Sequence, residues 1–143
     1  MSFSNRWIKS LLENMEKDLH HDTRMKVLED CGRSCCDSSG YSKKARACAS
    51  EARDVDDFLD RLSRAWSHMR RDGDKIYVEY EKCYCPLGRA LLEEGASSLN
   101  SFCNCSVGWV KEMFEASLKR PVRVELEKSI LRRDDSCRFK VYL

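Results

Sequence analysis

KIYVEYEKCYC, residues 75–85, is the stretch whose reading decides the fold. In it Ile76, Val78 and Tyr80 alternate with Tyr77, Glu79 and Glu81, the two-residue repeat of a strand with one buried face. Upstream the period is helical. Over residues 6–19, Trp7, Ile8, Leu11, Leu12, Met15 and Leu19 recur at three- and four-residue steps and make one stripe on a helix. Asp22 and Thr23 offer cap oxygens to a second helix with Met25, Leu28, Cys31 and Cys35 on one side, weakened by Gly32, Ser38, Ser39 and Gly40. Residues 42–52 carry Ala45, Cys48, Ala49 and Ala52 at helical spacing. Asp54 caps a fourth helix with Val55, Phe58, Leu59, Leu62, Trp66 and Met69 on its apolar face, ended by the Asp72-Gly73-Asp74 turn.

Downstream of the strand, Pro86 and Gly88 loosen the chain, residues 87–94 read as a short helix and residues 95–100 as a loop. Val107, Trp109, Val110, Met113, Phe114 and Leu118 restore the helical period from Ser106 until Pro121 stops it. Residues 122–131 and 137–143 form a β-hairpin turned by RRDDS, with Val122, Val124 and Leu126 on one face and Cys137, Phe139, Val141 and Leu143 on another. The predicted class is α+β: an N-terminal helical layer packed on a small antiparallel sheet of at least three strands, with a C-terminal β-hairpin. Residues 1–143 read as a single domain, 1–73 the helical part and 74–143 the part with sheet, helix and hairpin.

Composition narrows the function classes. Among 143 residues 42% are hydrophobic and 35% charged, with 6 Gly and 2 Pro, which describes a folded chain rather than a disordered tail. Lys and Arg number 26 against 24 Asp and Glu, interspersed throughout, so the net charge of +2 argues against a nucleic-acid partner. No apolar run reaches the roughly 20 residues of a membrane span, and the first residues turn acidic and amphipathic where a signal peptide stays apolar. The expectation is a cytoplasmic protein with no membrane partner. Its terminal strand, ending at Leu143, reads as an edge available to a second copy in a homodimer.

Nine cysteines are the outlier. An odd number cannot all pair, and a reducing compartment keeps disulfides rare, which leaves metal binding, reactive thiols or plain packing. Two Cys-x-Cys units are the most informative, Cys83-Tyr84-Cys85 after the strand and Cys103-Asn104-Cys105 before the long helix. On extended backbone each unit aims two sulfurs at one point, and four thiolates suit a tetrahedral zinc or, alternatively, an iron–sulfur cluster. Cys83 and Cys85 share the parity of Glu79 and Glu81 and leave the core face. The competing reading is reduced cysteines packed as small hydrophobes, and structural zinc sites more often place two or more residues between ligands. A second group, Cys31, Cys35, Cys36 and Cys48, reads as a small-residue helix face, with a second metal site or redox pair as the alternative.

A cysteine nucleophile wants a base. His68 falls opposite the apolar face of its helix and reads as exposed, while His20 and His21 sit at a helix end. Glu79, Glu81, Glu125 and Glu127 are carboxylates on exposed strand faces, and no phosphate loop, nucleophile elbow or zinc-protease motif occurs. Tyr77, Tyr80, Trp109 and Phe114 would line an apolar cofactor- or ligand-binding pocket beside the cysteines, or else belong to the core.

The segments KCYCPL (82–87), GASSLNSFCNCSVGWVKEMFE (95–115) and VRVELEKSILRRDDSCRFKVYL (122–143) give residues 77–143 a resemblance to two related families of small α+β domains. One is the 4-vinyl reductase domain, a small-molecule-binding module; the other is the L-2-amino-thiazoline-4-carboxylate hydrolases. The resemblance to the first implies zinc held by Cys103 or Cys105, Glu125 or Glu127, and Cys137. Ser129 stands where those domains carry a further thiol, and Arg133 where a turn glycine is usual. The resemblance to the second implies a cysteine-dependent hydrolase of a small cyclic amide- or amidine-like substrate, with Cys103 or Cys105 as candidate nucleophile, although the aspartate usual after the middle cysteine is absent after Cys105.

The leading expectation joins both lines. It is a cytoplasmic, cysteine-rich, small-molecule-binding module holding zinc or another thiophilic metal among Cys83, Cys85, Cys103, Cys105 and Cys137, with the hydrolase as the alternative.

Overall fold

The computed structural model describes residues 2–95 and 100–143. In chain order the elements are α1 (Phe3–Asp18), α2 (His21–Ser39), α3 (Tyr41–Glu51), α4 (Val55–Ala65), β1 (Met69–Asp72), β2 (Lys75–Tyr80), α5 (Pro86–Glu93), α6 (Asn104–Leu118), β3 (Arg123–Lys128) and β4 (Cys137–Tyr142). Short 3-10 turns cover Asn100–Cys103 and Ile130–Arg132. Part of the expected 95–100 loop, residues 96–99, lies outside the described residues.

The fold is α+β, with the helices packed on a four-stranded antiparallel sheet in the order β1-β2-β4-β3. The fourth strand comes from a boundary that the sequence reading placed too late. Helix α4 stops at Ala65 and Met69 belongs to β1, so Asp72-Gly73-Asp74 turns a hairpin rather than ending a helix. Asp-Gly between strands is a common hairpin signal, and Gly73 supplies the positive φ of 63° that the turn requires. Met69 stays in the core in either reading, which is why its apolar spacing did not discriminate them.

The order of strands also corrects the expected dimer edge. β4 lies inside the sheet between β2 and β3, so the terminal strand has both partners and is not an edge. The edges are β1, four residues long, and β3, which carries Arg123, Glu125, Glu127 and Lys128. Short, charged edges discourage strand addition.

The main core joins Phe58, Leu59, Leu62 and Trp66 from the α4 region, Ile76, Val78, Phe139 and Val141 from the sheet, and Val107, Val110, Met113 and Phe114 from α6. A smaller cluster gathers Leu12, Leu28, Leu91, Phe102, Cys103 and Leu131, covered by Ile8 and Met15 of α1. Gly32 does not weaken α2, which runs unbroken to Ser39. Instead α2 and α6 cross backbone to backbone there. A Cβ on Gly32 would lie 1.7 Å from the Cys105 carbonyl oxygen, and one on Gly108 would lie 1.9 Å from the Glu29 carbonyl oxygen. Arg33 bridges Glu112 (3.2 Å) and Glu115 (3.1 Å), and Lys111 bridges Glu29 (2.9 Å), along the same seam.

Cys36 is wholly buried in this core, and burial pushes its thiol up to about 12 from an ordinary 9.0. The folded state therefore keeps a proton that the unfolded chain releases. This contribution to stability is complete below pH about 9 and is lost as pH rises towards about 12. Urea midpoints measured at pH 8 and pH 10 should differ less in Cys36→Ala than in the parent; an unchanged difference refutes the assignment.

Candidate functional site

The segment after β2 supplies the first two thiols. β2 ends at Tyr80 and the chain bends at Glu81–Lys82, so Cys83 and Cys85 lie beyond the strand and its side-chain parity no longer governs them. Cys85 is the N-cap of α5, with Pro86 at the first helical position, and its Sγ accepts a hydrogen bond from the Gly88 amide at 3.4 Å. Cys83 Sγ donates to the Cys85 carbonyl at 3.8 Å and lies 2.8 Å from where a Cβ on Gly88 would stand.

The second Cys-x-Cys unit is not extended. Cys103 ends the 3-10 turn and Cys105 is in the first turn of α6, so a step of two residues sends their side chains to different sides. Cys103 is buried in the smaller cluster, where the hydroxyl of the fully buried Ser129 donates to its Sγ at 2.9 Å. Burial pushes its thiol up to about 11; the thiols of Cys137 and Cys83 push the same way, against the Ser129 hydrogen bond and Arg132. Cys105 faces α2. Burial pushes it up to about 12, with Cys85, Cys31, Cys35 and Cys103 adding to the shift. Both nucleophile candidates of the hydrolase reading are thus protonated at neutral pH.

Cys137 enters from β4. Its Sγ accepts from the Ile130 amide at 3.4 Å, and burial also raises its thiol. The turn that presents it is tightly built around Ser129: the Ser129 amide donates to Asp134 Oδ2 (2.8 Å), and the Ser129 carbonyl accepts from the amides of Arg132 (2.9 Å) and Asp134 (3.1 Å). Arg133 adopts φ 69°, the left-handed conformation that suits glycine, at the position where the resemblance puts a turn glycine.

Cys83, Cys85, Cys103 and Cys137 therefore neighbour one another, and Cys105 stands between this group and α2, acted on by Cys85 and Cys103 as well as by Cys31 and Cys35. The expected second group splits. Cys36 and Cys48 pack in the main core, and the exposed Cys31 and Cys35 stand on α2 near Cys105. Among the described residues no group of three or more Cys, His, Asp or Glu side chains stands in a geometry that holds a metal ion. Glu125 is tied to Arg123 and to the Tyr142 hydroxyl (3.0 Å), and Glu127 to Arg138 (3.2 Å).

The aromatic pocket needs correction. Tyr77 lies on the sheet face opposite Ile76 and Val78, covered by the guanidinium groups of Arg70 (4.8 Å) and Arg138 (4.3 Å). Tyr80, Trp109 and Phe114 are on the core side, joined by rings rather than by space: Trp66 meets Trp109 at 5.6 Å and Phe114 at 6.3 Å, and Tyr80 meets Phe139 at 6.4 Å. A recess of about 170 Å³ lies elsewhere, lined by Leu12, Met15, Arg24, Leu28, Ser101 and Phe102. That space includes open solvent, and the recess encloses no room for even a water molecule, whereas ligand pockets commonly hold a few hundred Å³.

His20 and His21 lie at a helix end as expected, whereas His68 does not lie on its helix. His68 follows α4 rather than riding on it, half-buried and stacked on Tyr80 (4.4 Å) with Tyr84 at its edge (5.1 Å). His20 is the N-cap of α2, where Asp22 and Thr23 were expected to cap, and His21 is its first residue.

A model of a family of unknown function (DUF6144) matches residues 2–143, running through the helical part and the sheet part alike. The chain belongs to the DUF6144 family. A search of curated proteins found no match. For this DUF6144 chain the sequence reading passed over Ser129 as a partner of Cys103, and over Cys31 and Cys35 as neighbours of Cys105. The small residues Gly32 and Gly108, each mid-helix, were the signal for the α2–α6 crossing that brings the latter together.

Proposed function

We propose that this DUF6144 protein is a cytoplasmic binding module that takes zinc, or another thiophilic metal, through Cys83, Cys85, Cys103 and Cys137. The observation that carries the reading is the pattern of donors around the sulfurs. Cys85, Cys103 and Cys137, on three separate segments, each accept a hydrogen bond from an amide or hydroxyl. Donors aimed at sulfur favour the thiolate, which is the form that binds metal, and they orient it. Cys105, although Cys85 and Cys103 act on it, is left out because it stands in the first turn of α6 against α2. Burial raises the thiols of Cys83, Cys103 and Cys137, so a bound metal has to displace their protons, and uptake should weaken as pH falls. Binding requires these sulfurs to draw closer than they stand, since among the described residues no three are placed to hold an ion. The small-molecule half of the reading rests on the resemblance alone.

Protein purified without oxygen or chelator should carry near-stoichiometric zinc, and cobalt should give a thiolate-to-metal charge-transfer band. Both should vanish in Cys83→Ser/Cys103→Ser while circular dichroism is retained, and loading should release protons. A wild-type protein that holds no zinc and gives no cobalt band on titration overturns the proposal.

A further inference from the structure

The metal reading leaves Cys31 and Cys35 of α2 and Cys105 of α6 unused, and the crossing of the two helices brings these thiols together. Gly32 follows Cys31 in the chain, and a Cβ on it would stand 1.7 Å from the Cys105 carbonyl oxygen and 2.7 Å from the carbonyl carbon. Three residues before Cys31, Leu28 is buried in the smaller cluster with Phe102 and Cys103. Residues 28, 31 and 35, at three- and four-residue steps, form one stripe of α2. The contacts at Leu28 and Gly32 hold this stripe along the 102–105 segment, with Cys31 between the two points. The thiols of Cys31 and Cys35 both act on Cys105, that of Cys31 the more strongly.

We propose that Cys31 and Cys105 are a redox-sensitive pair, which a small-molecule disulfide such as oxidised glutathione converts to a disulfide linking α2 to α6. The two thiols differ as the two steps require. Cys31 is exposed and meets the reagent, whereas Cys105 is partly buried at the helix contact. The Cys31 sulfur, as thiolate, attacks one sulfur of the small disulfide; that S–S bond breaks, and one small thiol leaves with the proton Cys31 gave up. The Cys105 sulfur then attacks the Cys31 sulfur of the mixed disulfide, and the second small thiol leaves with the proton of Cys105. In all, two protein thiols lose two electrons and two protons, and the small disulfide takes them up as two thiols. Burial pushes the Cys105 thiol up to about 12, so its thiolate is scarce at neutral pH and the second step is the slower one.

Other pairings fit less well. Cys31 and Cys35 stand one turn apart on the same helix, where Cβ atoms are about 5–6 Å apart against the roughly 4 Å of a disulfide. Cys36 is wholly buried in the main core. Cys85 acts on Cys105 more strongly than Cys31 does, but its sulfur caps α5 by accepting from the Gly88 amide at 3.4 Å, and a bond to Cys105 would uncap that helix. The Cys31–Cys105 link spends none of the four sulfurs assigned to the metal, so it stands or falls apart from that reading.

Peptide mapping of the full chain tests the proposal. Reduced protein is incubated with oxidised glutathione, quenched in acid with an alkylating agent and cut with trypsin, which separates Cys31 from Cys35 by cleaving after Arg33. The expected product, in most chains, is peptide 27–33 joined to peptide 90–111 and two hydrogens lighter than their sum, with a raised urea midpoint because the link constrains the unfolded chain. Cys31→Ser, at an exposed position that leaves circular dichroism unchanged, should lose the link. Cys105→Ser should also lose it and stop at glutathione bound to Cys31, which excludes Cys103 of the same peptide, and Cys35→Ser should keep it. Chains that stay reduced or carry only glutathione adducts overturn the proposal. So does a link through peptide 34–43 or 83–89, or one that persists in Cys31→Ser or Cys105→Ser.

Discussion

Gly108→Ala is expected to destabilise the protein by on the order of 3 kcal/mol, read as a fall in urea midpoint. The added methyl would sit 1.9 Å from the Glu29 carbonyl oxygen and 2.6 Å from Glu29 Cα. These are backbone atoms, so no rotamer change relieves the overlap and α2 and α6 must separate. Separation stretches the Arg33–Glu112, Arg33–Glu115 and Lys111–Glu29 bridges together. The sign is itself diagnostic, because Gly→Ala in an unhindered helix interior stabilises by about 1 kcal/mol. Gly32→Ala meets the same seam from the other side, 1.7 Å from the Cys105 carbonyl oxygen. The double variant should therefore cost less than the sum of the two, since helices already parted by one methyl have room for the other. A stabilised or neutral Gly108→Ala would show that the helices do not cross so closely.

That crossing also marks where the sequence was legible and where it was not. The switch of period at Lys75, the helix from Ser106 and the terminal hairpin were readable because each side-chain pattern answers to one local geometry. Three kinds of information were not local. Asp72-Gly73-Asp74 suits a helix end and a hairpin turn equally, and only pairing with Lys75–Val78 decides for the hairpin. Cys103-Asn104-Cys105 aims two sulfurs together on extended backbone and apart on a helix, so the start of α6, two residues earlier than expected, sent the two sulfurs to different sides. Ser129 illustrates the third difficulty. A serine inside a hairpin strand looks solvated, yet its hydroxyl is fully buried against Cys103 because the turn after it folds back on its carbonyl.

Phe114→Ala is expected to cost about 3–5 kcal/mol, a large part of the 5–15 kcal/mol that holds a typical domain together. Phe114 was one of four aromatics that the sequence placed either beside a ligand or in the core, so its substitution separates a pocket wall from a core residue. It is fully buried, packed with Trp66 at 6.3 Å and with Met113, Val110 and the sheet residues of the main cluster. A pocket wall loses ligand affinity on truncation and little stability, because the wall already borders open space. A core ring loses its transfer energy and leaves a cavity that the crossing helices cannot collapse, since α6 is pinned on α2 at Gly32 and Gly108. Phe114→Leu should recover much of the loss by refilling the volume. The metal uptake proposed for Cys83, Cys85, Cys103 and Cys137 should persist in Phe114→Leu, which keeps the core filled around Cys137. Should Phe114→Ala leave the urea midpoint unchanged, the ring borders space after all, and the ligand pocket beside the cysteines returns as the better account of Tyr80, Trp109 and Phe114.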